Sequence, residues 1–333
     1  MNSDKIKYSL ILIPLLLLTG CFPEDDPVVP LAIDIVEIPY SMYDTQVWYN
    51  LHNMSVTSHN SFLDWDLGFE SNGSEHHIIL NTSRFMHAGN TGSSDFYGIT
   101  TNPCDTMVYD DSSGDLNKTA IGKWADFSDP LNPVYPQKVY IIDLGSDNNG
   151  LPFGSKKITF DSFNNNVYSI HFSNLDGSDE HYFEVGTDPA RSFTLFSFNN
   201  GGSMFQVQPP DSDWDLCFTQ YSTILFDDNN VATPYLVRGV YINMNGTAAA
   251  RDTINSFNDI TAGDISDYTF SPAQDIIGYD WKDYKDDSYK INPGIFYIIK
   301  DQLDEYYKLK FTGFYNNSGE RGYSSFQLIK LSK

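Results

Sequence analysis

A six-residue segment built around Trp-Asp-Leu occurs twice in the chain, and this repetition restricts the folds that the chain can adopt. Residues 64–69 read Asp-Trp-Asp-Leu-Gly-Phe, and residues 213–218 read Asp-Trp-Asp-Leu-Cys-Phe. Two further pairs of segments follow in the same order: Trp124 with Val139-Tyr140-Ile141-Ile142 and Trp281 with Phe296-Tyr297-Ile298-Ile299, then Lys157-Ile158-Thr159-Phe160 and Lys308-Leu309-Lys310-Phe311. Matched segments in a fixed order indicate an internal duplication. We therefore predict two related units, at residues 51–185 and 186–333.

The repeated segments alternate large apolar residues with polar or small ones, which is typical of β-strands. Trp65, Leu67 and Phe69 alternate in this way with the residues between them. Because successive side chains of a strand point to opposite faces, the large groups share one buried face. Turn-forming clusters such as residues 199–202 (Asn-Asn-Gly-Gly) separate the segments, and helical periodicity is nearly absent. The predicted fold class is all-β, with antiparallel strands in two related sandwich-like units.

The N-terminus has the features of a secretory signal peptide. Lys5 and Lys7 precede an apolar run at residues 10–18, and small residues follow it. The run is too short to cross a bilayer, which takes about 20 apolar residues. We therefore predict a signal peptide at residues 1–20.

A lipid anchor at Cys21 is the second prediction for this region. Leu18-Thr19-Gly20-Cys21 resembles a lipobox, in which the cysteine accepts a diacylglyceryl group. Acidic residues at 24–26 follow at once and are similar to the surface-export signal of Bacteroidetes lipoproteins. Residues 21–50, rich in Pro and acid, are predicted to be a tether that holds the folded part away from an outer membrane, at the cell surface.

Charge and motif content exclude several classes of function. The formal net charge is −24, so the protein surface repels phosphate backbones and nucleic acid is excluded as a partner. The chain contains no nucleophile elbow, His-Glu-x-x-His motif or P-loop, and we predict that it is not an enzyme. Cys104 and Cys217 could form one disulfide in an oxidising compartment.

The second repeat resembles a known family. The order of Trp-Asp-Leu at 214–216, Ile-Gly-Tyr-Asp-Trp-Lys at 277–282, Tyr-Ile-Ile-Lys at 297–300 and Tyr-Lys-Leu-Lys-Phe at 307–311 is similar to that of the HmuY family, haem-binding lipoproteins of Bacteroidetes. The first repeat resembles a more divergent copy, which would give two HmuY-like units. The resemblance implies an all-β fold and a haemophore-like role in haem and iron acquisition, with transfer of haem to an outer-membrane transporter.

Haem binding requires an axial ligand to iron, such as His, Met, Tyr or Cys, and an apolar slot for the porphyrin. The resemblance implies two His ligands between the Trp-Asp-Leu strand and the C-terminal strands, but no His lies between Trp214 and Trp281. The remaining iron-ligand candidates are Met244, Met86, His87 and Met107, and the candidates for the propionates are Arg238 and Arg251.

The strand and turn patterns predict that the other histidines named here face solvent. His76 and His77 are interpreted as a surface pair after a turn, and His171 as a solvent-facing strand residue. The alternative function is a β-rich surface lipoprotein that binds a glycan or a protein partner without haem, using exposed Tyr and Trp side chains.

Overall fold

Alternating apolar and polar residues form twenty β-strands in the computed structural model, which describes residues 35–147 and 149–331. The strands before residue 210 are β1 (Ile35–Glu37), β2 (Thr45–Asn50), β3 (Ser55–Ser61), β4 (Leu67–Glu70), β5 (Ile78–Leu80), β6 (His87–Asn90), β7 (Tyr140–Asp143), β8 (Ser155–Asn164), β9 (Val167–Asn174), β10 (His181–Gly186), β11 (Phe193–Ser197) and β12 (Ser203–Phe205). The later strands are β13 (Leu216–Phe226), β14 (Ala232–Ile242), β15 (Ala248–Asp252), β16 (Lys282–Lys285), β17 (Ser288–Ile291), β18 (Phe296–Lys300), β19 (Tyr306–Tyr315) and β20 (Arg321–Leu331). Among the described residues, helix is limited to short 3₁₀ turns at Thr82–Arg84, Leu116–Lys118, Asn199–Gly201, Asp211–Asp213 and Ala262–Asp267. The predicted all-β, antiparallel fold class is confirmed.

Two five-stranded antiparallel sheets have the same internal order. One sheet runs β10-β9-β8-β7-β6, and the other runs β1-β20-β19-β18-β15. In each, a long hairpin (β8–β9 or β19–β20) fills the second and third places, and a long stretch of chain connects the last edge strand (β6 or β15) to its neighbour (β7 or β18). The strand β7, sixteen residues after Trp124, therefore has the same place in its sheet as β18, whose Tyr297 lies sixteen residues after Trp281.

Two four-stranded sheets are also alike, and each contains one copy of the Trp-Asp-Leu strand. Their orders are β12-β11-β4-β5 and β3-β2-β13-β14. The N-terminal strand β2 thus pairs with the second Trp-Asp-Leu strand, β13, whereas β11 pairs with the first, β4. The strands β3 and β12 are the edge strands beside β2 and β11. The remaining sheet is the β16–β17 hairpin.

This pairing corrects the predicted extent of the tether. Residues 35–50 belong to the fold, because β1 pairs with β20 and β2 pairs with β13. Met42 and Tyr49 are fully buried against the second half of the chain. Their burial removes apolar surface from water, which a solvated tether does not do.

The buried apolar residues form two large clusters within the described part of the chain. One draws its members from residues 67–198, and the other combines residues 38–51 with residues 216–328. Asp34–Lys333 nevertheless form one compact unit. The division into two related units at residues 51–185 and 186–333 stays a prediction.

Both copies of Trp-Asp-Leu make the same backbone contacts. The amide of Asp66 donates to the carbonyl of Phe196 (2.7 Å), and the amide of Asp215 donates to the carbonyl of Tyr49 (2.8 Å). A buried asparagine then ties each motif to the next strand, because Asn81 donates to the carbonyl of Trp65 and Asn243 to that of Trp214. The motif is therefore a structural corner, where a buried strand begins.

Candidate ligand-binding site

An open cleft of about 750 Å³ separates the segment at residues 107–119 from the tip of the β13–β14 hairpin. This volume lies within the range of about 300–1,000 Å³ that is typical of small-molecule and cofactor sites. Its lining residues are Met107, Val108, Tyr109, Asp110, Asp111, Ser112, Lys118, Thr119, Thr223, Ile224, Ala232 and Pro234. The cleft brings together the predicted ligand Met107, one cation, Lys118, and apolar side chains of β13 and β14 near the end of their hairpin.

A bridge to strand β6 sets the position of Met107. Ala88 and Val108 exchange both backbone hydrogen bonds, at 2.9 and 2.8 Å. This pairing places Met107 beside Gly89 of β6. Gly89 is required there, because a Cβ at this position would lie 2.7 Å from Met107 Sδ and 2.8 Å from Cys104 Sγ. The missing side chain lets both sulfur atoms lie directly on the strand.

Tyr109 is the site residue that the sequence reasoning did not single out. Its ring stacks on His87, with centroids 5.0 Å apart, and both Met107 and Tyr109 line the cleft. Burial, together with the charge of Asp143, raises the pKa of Tyr109, so the phenol stays protonated at neutral pH. The spacing of Met107 and Tyr109 on an extended segment was the available signal, since residues two apart share a face.

His87 lies next to this wall but is not among the residues that line the cleft. Its Nδ1 is buried and accepts or donates no hydrogen bond. A partly buried imidazole without a partner on one nitrogen is uncommon in folded proteins. His87 therefore remains a candidate ligand that would need a movement of Tyr109 to reach the cleft.

The two cysteines of the described residues do not form a disulfide. Cys104 and Cys217 are both free, so the disulfide considered from the sequence does not form. Burial, with a further contribution from Asp105, raises the pKa of Cys104, and burial raises that of Cys217. Because the thiolate is the form that binds metals, neither cysteine is set up as a ligand at neutral pH.

Met244 lines a different, smaller cavity between the two Trp-Asp-Leu strands. This cavity has a volume of about 130 Å³, and its walls include Trp48, Trp65 and Trp214. It is below the size range of cofactor sites. Met244 is 37% exposed at its edge, packed near Gly114.

The remaining predicted site residues pack in the core or contact other side chains of the protein. Met86 is fully buried in the cluster of residues 67–198, so it serves the core and cannot reach a ligand while the core is packed. The guanidinium of Arg238 lies 4.2 Å from the ring centroid of Tyr43, and Arg251 donates to Asp280 at 2.6 Å. Neither arginine lines the cleft with Met107.

Two histidines differ from the sequence interpretation. His171 is 6% exposed, because its ring is stacked between Phe96 and Tyr182 while Nε2 contacts Glu180 at 2.7 Å. His76 packs on aromatic side chains, and burial lowers its pKa. Both were predicted to face solvent, but His171 is covered by the Phe96 loop and the neighbouring strand β10, and His76 is half-buried against the end of β8.

Cys21, the predicted lipid-anchor residue, and the predicted signal peptide at residues 1–20 lie outside the described residues. Within the described ranges, no helix has the length and apolarity needed to cross a bilayer.

The chain is similar to known proteins of one family. The model of the family described as HmuY protein matches residues 42–328. Among solved structures, apo PinO from Porphyromonas gingivitis has a TM-score of 0.29 and 10% identity, covering 90% of this chain and 97% of that one. The apo HmuY analog TFO from Tannerella forsythia has a TM-score of 0.19 and 13% identity, covering 90% and 96%. No curated protein matches the chain. Because the family model spans most of its length, the chain is a member of the HmuY family.

Proposed function

We propose that this protein is a surface-anchored, haemophore-like lipoprotein that binds haem in the cleft beside Met107 and performs no catalysis. The observation that carries the proposal is the position of a thioether on the wall of a cleft of about 750 Å³. Membership of the HmuY family, whose members bind haem, supports the same ligand.

The protonation of the neighbouring groups favours Met107 as the iron ligand. A thioether binds haem iron without losing a proton. Tyr109 and Cys104 would each have to ionise first, and burial raises the pKa of both. Asn102 Nδ2 lies 3.6 Å from Met107 Sδ, where it can donate to one of the two sulfur lone pairs. The other lone pair is left for a metal.

The rest of the cleft wall would accommodate the porphyrin. Ile224, Ala232 and Pro234 offer an apolar surface opposite Met107. Lys118 is the cation of the cleft lining, and it is 3.3 Å from Asp115 in an exposed ion pair. A propionate would compete with that carboxylate for Lys118, which costs little because exposed ion pairs are worth about 0–1 kcal/mol.

The sequence of the N-terminus supports the cellular role within this proposal. A lipid on Cys21, after export, would hold the binding unit at the outer membrane, and haem would be passed to an outer-membrane transporter. The absence of nucleic-acid partners follows from the net charge of −24.

The test compares the absorption spectra of haem complexes of the full chain and of single-residue variants. Met107→Ala should shift the haem absorption band and weaken binding, because the iron loses its thioether. Met204→Ala is the matched control, since Met204 is an exposed methionine on β12 away from the cleft. Met244→Ala should also leave the spectrum unchanged. If Met107→Ala has the same spectrum and affinity as the wild type, Met107 is not the ligand.

A second candidate function is recognition of a glycan or a protein by exposed aromatic side chains. Tyr97 and Tyr182 are 66% and 68% exposed; Tyr97 donates to Glu180, and Tyr182 stacks on His171. Such an aromatic platform beside a carboxylate can stack on a sugar ring or anchor a protein contact. Retention on a polysaccharide gel that Tyr182→Ala abolishes, together with no response to haem, would favour this function over the first.

A further inference from the structure

Three metal-ligating side chains meet where two distant turns come together, well away from the cleft residues in the sequence. His52 follows β2, and Asp301 and Glu305 bound the turn between β18 and β19. One ligand atom from each residue lies within 4.8 Å of the other two. His52 Nδ1 is 2.7 Å from Glu305 Oε2.

One oxygen of the Asp301 carboxylate accepts no hydrogen bond. Asp301 is 1% exposed, and its Oδ1 accepts from the amides of Leu303 (2.9 Å) and Glu305 (2.8 Å). Its Oδ2 is buried and has no hydrogen-bond partner. A buried carboxylate oxygen without a donor is costly, and it indicates a site for a cation.

We propose that His52, Asp301 and Glu305 form a binding site for a divalent transition-metal ion of the zinc class. One imidazole nitrogen and two carboxylate oxygens are ligands that Zn²⁺ accepts, with water completing a tetrahedron. Ligand atoms at zinc distances stand about 3.4 Å apart in a tetrahedron. His52 Nδ1 and Glu305 Oε2, now 2.7 Å apart, would have to separate to that spacing, and the 47% exposed side chain of His52 can turn to allow it.

The neighbours of Glu305 orient its carboxylate. Lys330 Nζ is 2.5 Å from Oε1, and the hydroxyl of Tyr307 donates to Oε2 at 3.0 Å. Lys330 thus holds the oxygen that the metal does not need, as groups around a metal ligand often do. For a metal to bind His52 Nδ1, the hydrogen that this nitrogen shares with Glu305 Oε2 must leave it, moving to Nε2 in the neutral imidazole or to solvent from the imidazolium.

The site would fasten the N-terminal hairpin to the C-terminal half of the chain. His52 lies in the turn between β2 and β3, in the same sheet as β13, whereas the carboxylates belong to the β18–β19 turn of another sheet. The place after β11 that corresponds to His52 is held by Asn199, because the amides of Leu51 and Phe198 bind equivalent aspartates. The first half of the chain therefore lacks this imidazole.

The test is equilibrium dialysis of the haem-free full chain against zinc chloride, with bound metal measured by elemental analysis. We expect a single zinc ion per chain, and a melting temperature raised by about 5 °C when zinc exceeds its Kd a hundredfold. His52→Asn copies the residue found after β11 and should weaken zinc binding by at least about tenfold. Asp301→Asn keeps the acceptor for the turn amides and should have the same effect.

His181→Asn is the matched control, because His181 also pairs with a carboxylate (Asp179, 2.8 Å) that contacts a lysine. It should leave zinc binding unchanged. The proposal is overturned if the wild type retains no zinc, or if His52→Asn and Asp301→Asn retain as much as the wild type. Haem binding by His52→Asn should equal that of the wild type, which separates this site from the cleft.

Discussion

The two aspartates of the repeated Trp-Asp-Leu motif should respond very differently to the same substitution. Asp66 is ion-paired with Arg84, and their side chains are 3% and 7% exposed. Asp215 is equally buried but has no cationic partner: it accepts from the amide of Leu51 (2.8 Å) and the hydroxyl of Thr247 (3.1 Å). Asn in place of Asp keeps the shape at both positions and removes one charge.

The size of each effect follows from what the substitution leaves behind. Asp66→Asn leaves the guanidinium of Arg84 buried without a counter-charge, which costs about 3–5 kcal/mol of unfolding free energy. Asp215→Asn keeps an oxygen for Leu51 and places its amide beside the Thr247 hydroxyl, which can accept instead of donating. The expected loss is about 1 kcal/mol. Burial raises the pKa of Asp215, so removing its charge also relieves some desolvation.

Urea unfolding followed by tryptophan fluorescence measures the difference. With a slope of about 3 kcal/mol per molar urea, the midpoint of Asp66→Asn should fall by about 1 M or more, and that of Asp215→Asn by about 0.3 M. Adding Arg84→Met to Asp66→Asn should restore part of the loss, because no charge is then buried alone. Equal losses for the two single variants would refute the reasoning.

Further predictions concern a buried lysine and a buried carboxyl. Lys308 donates to the carbonyls of Phe257 and Ile260, both at 2.8 Å. Lys308→Met should therefore lower the free energy of unfolding in urea by about 2–3 kcal/mol. The more exposed Lys310→Met should change it by no more than about 0.5 kcal/mol. Burial raises the pKa of Asp110 from 3.8 to about 6, so its protonated form stabilises the fold below pH 4 and that contribution is lost as the pH rises to about 6. The unfolding free energy of the wild type relative to Asp110→Asn should therefore fall by up to about 3 kcal/mol between pH 4 and 7, and a constant difference would contradict the shift.

Local pattern was sufficient to predict the strand class and the buried face of the repeated segments. Leu67 and Phe69 are both fully buried, as their alternation indicates. The pairing of β2 with β13 could not be predicted in this way, because strand periodicity carries no information on which distant strand is the partner. For the same reason, residues 35–50 were predicted to be a tether although they complete a sheet.

The candidate site was predictable only in part. Met107 was a candidate because thioethers bind haem iron, and the structure places it on a cleft. Met86 has the same chemistry but lies in the core, and residue type alone does not distinguish the two. His171 stands opposite the buried face of β9, as its position indicates, but the loop that carries Phe96 covers that opposite face. Coverage by loops depends on tertiary packing, which a single-strand pattern does not contain.

A haem titration of the full chain, followed by absorption in the ferric and ferrous states, tests the central claim most directly. Binding in the cleft predicts a shifted absorption band that saturates at one haem per chain. A titration without a band shift or saturation in either oxidation state would contradict the proposed function.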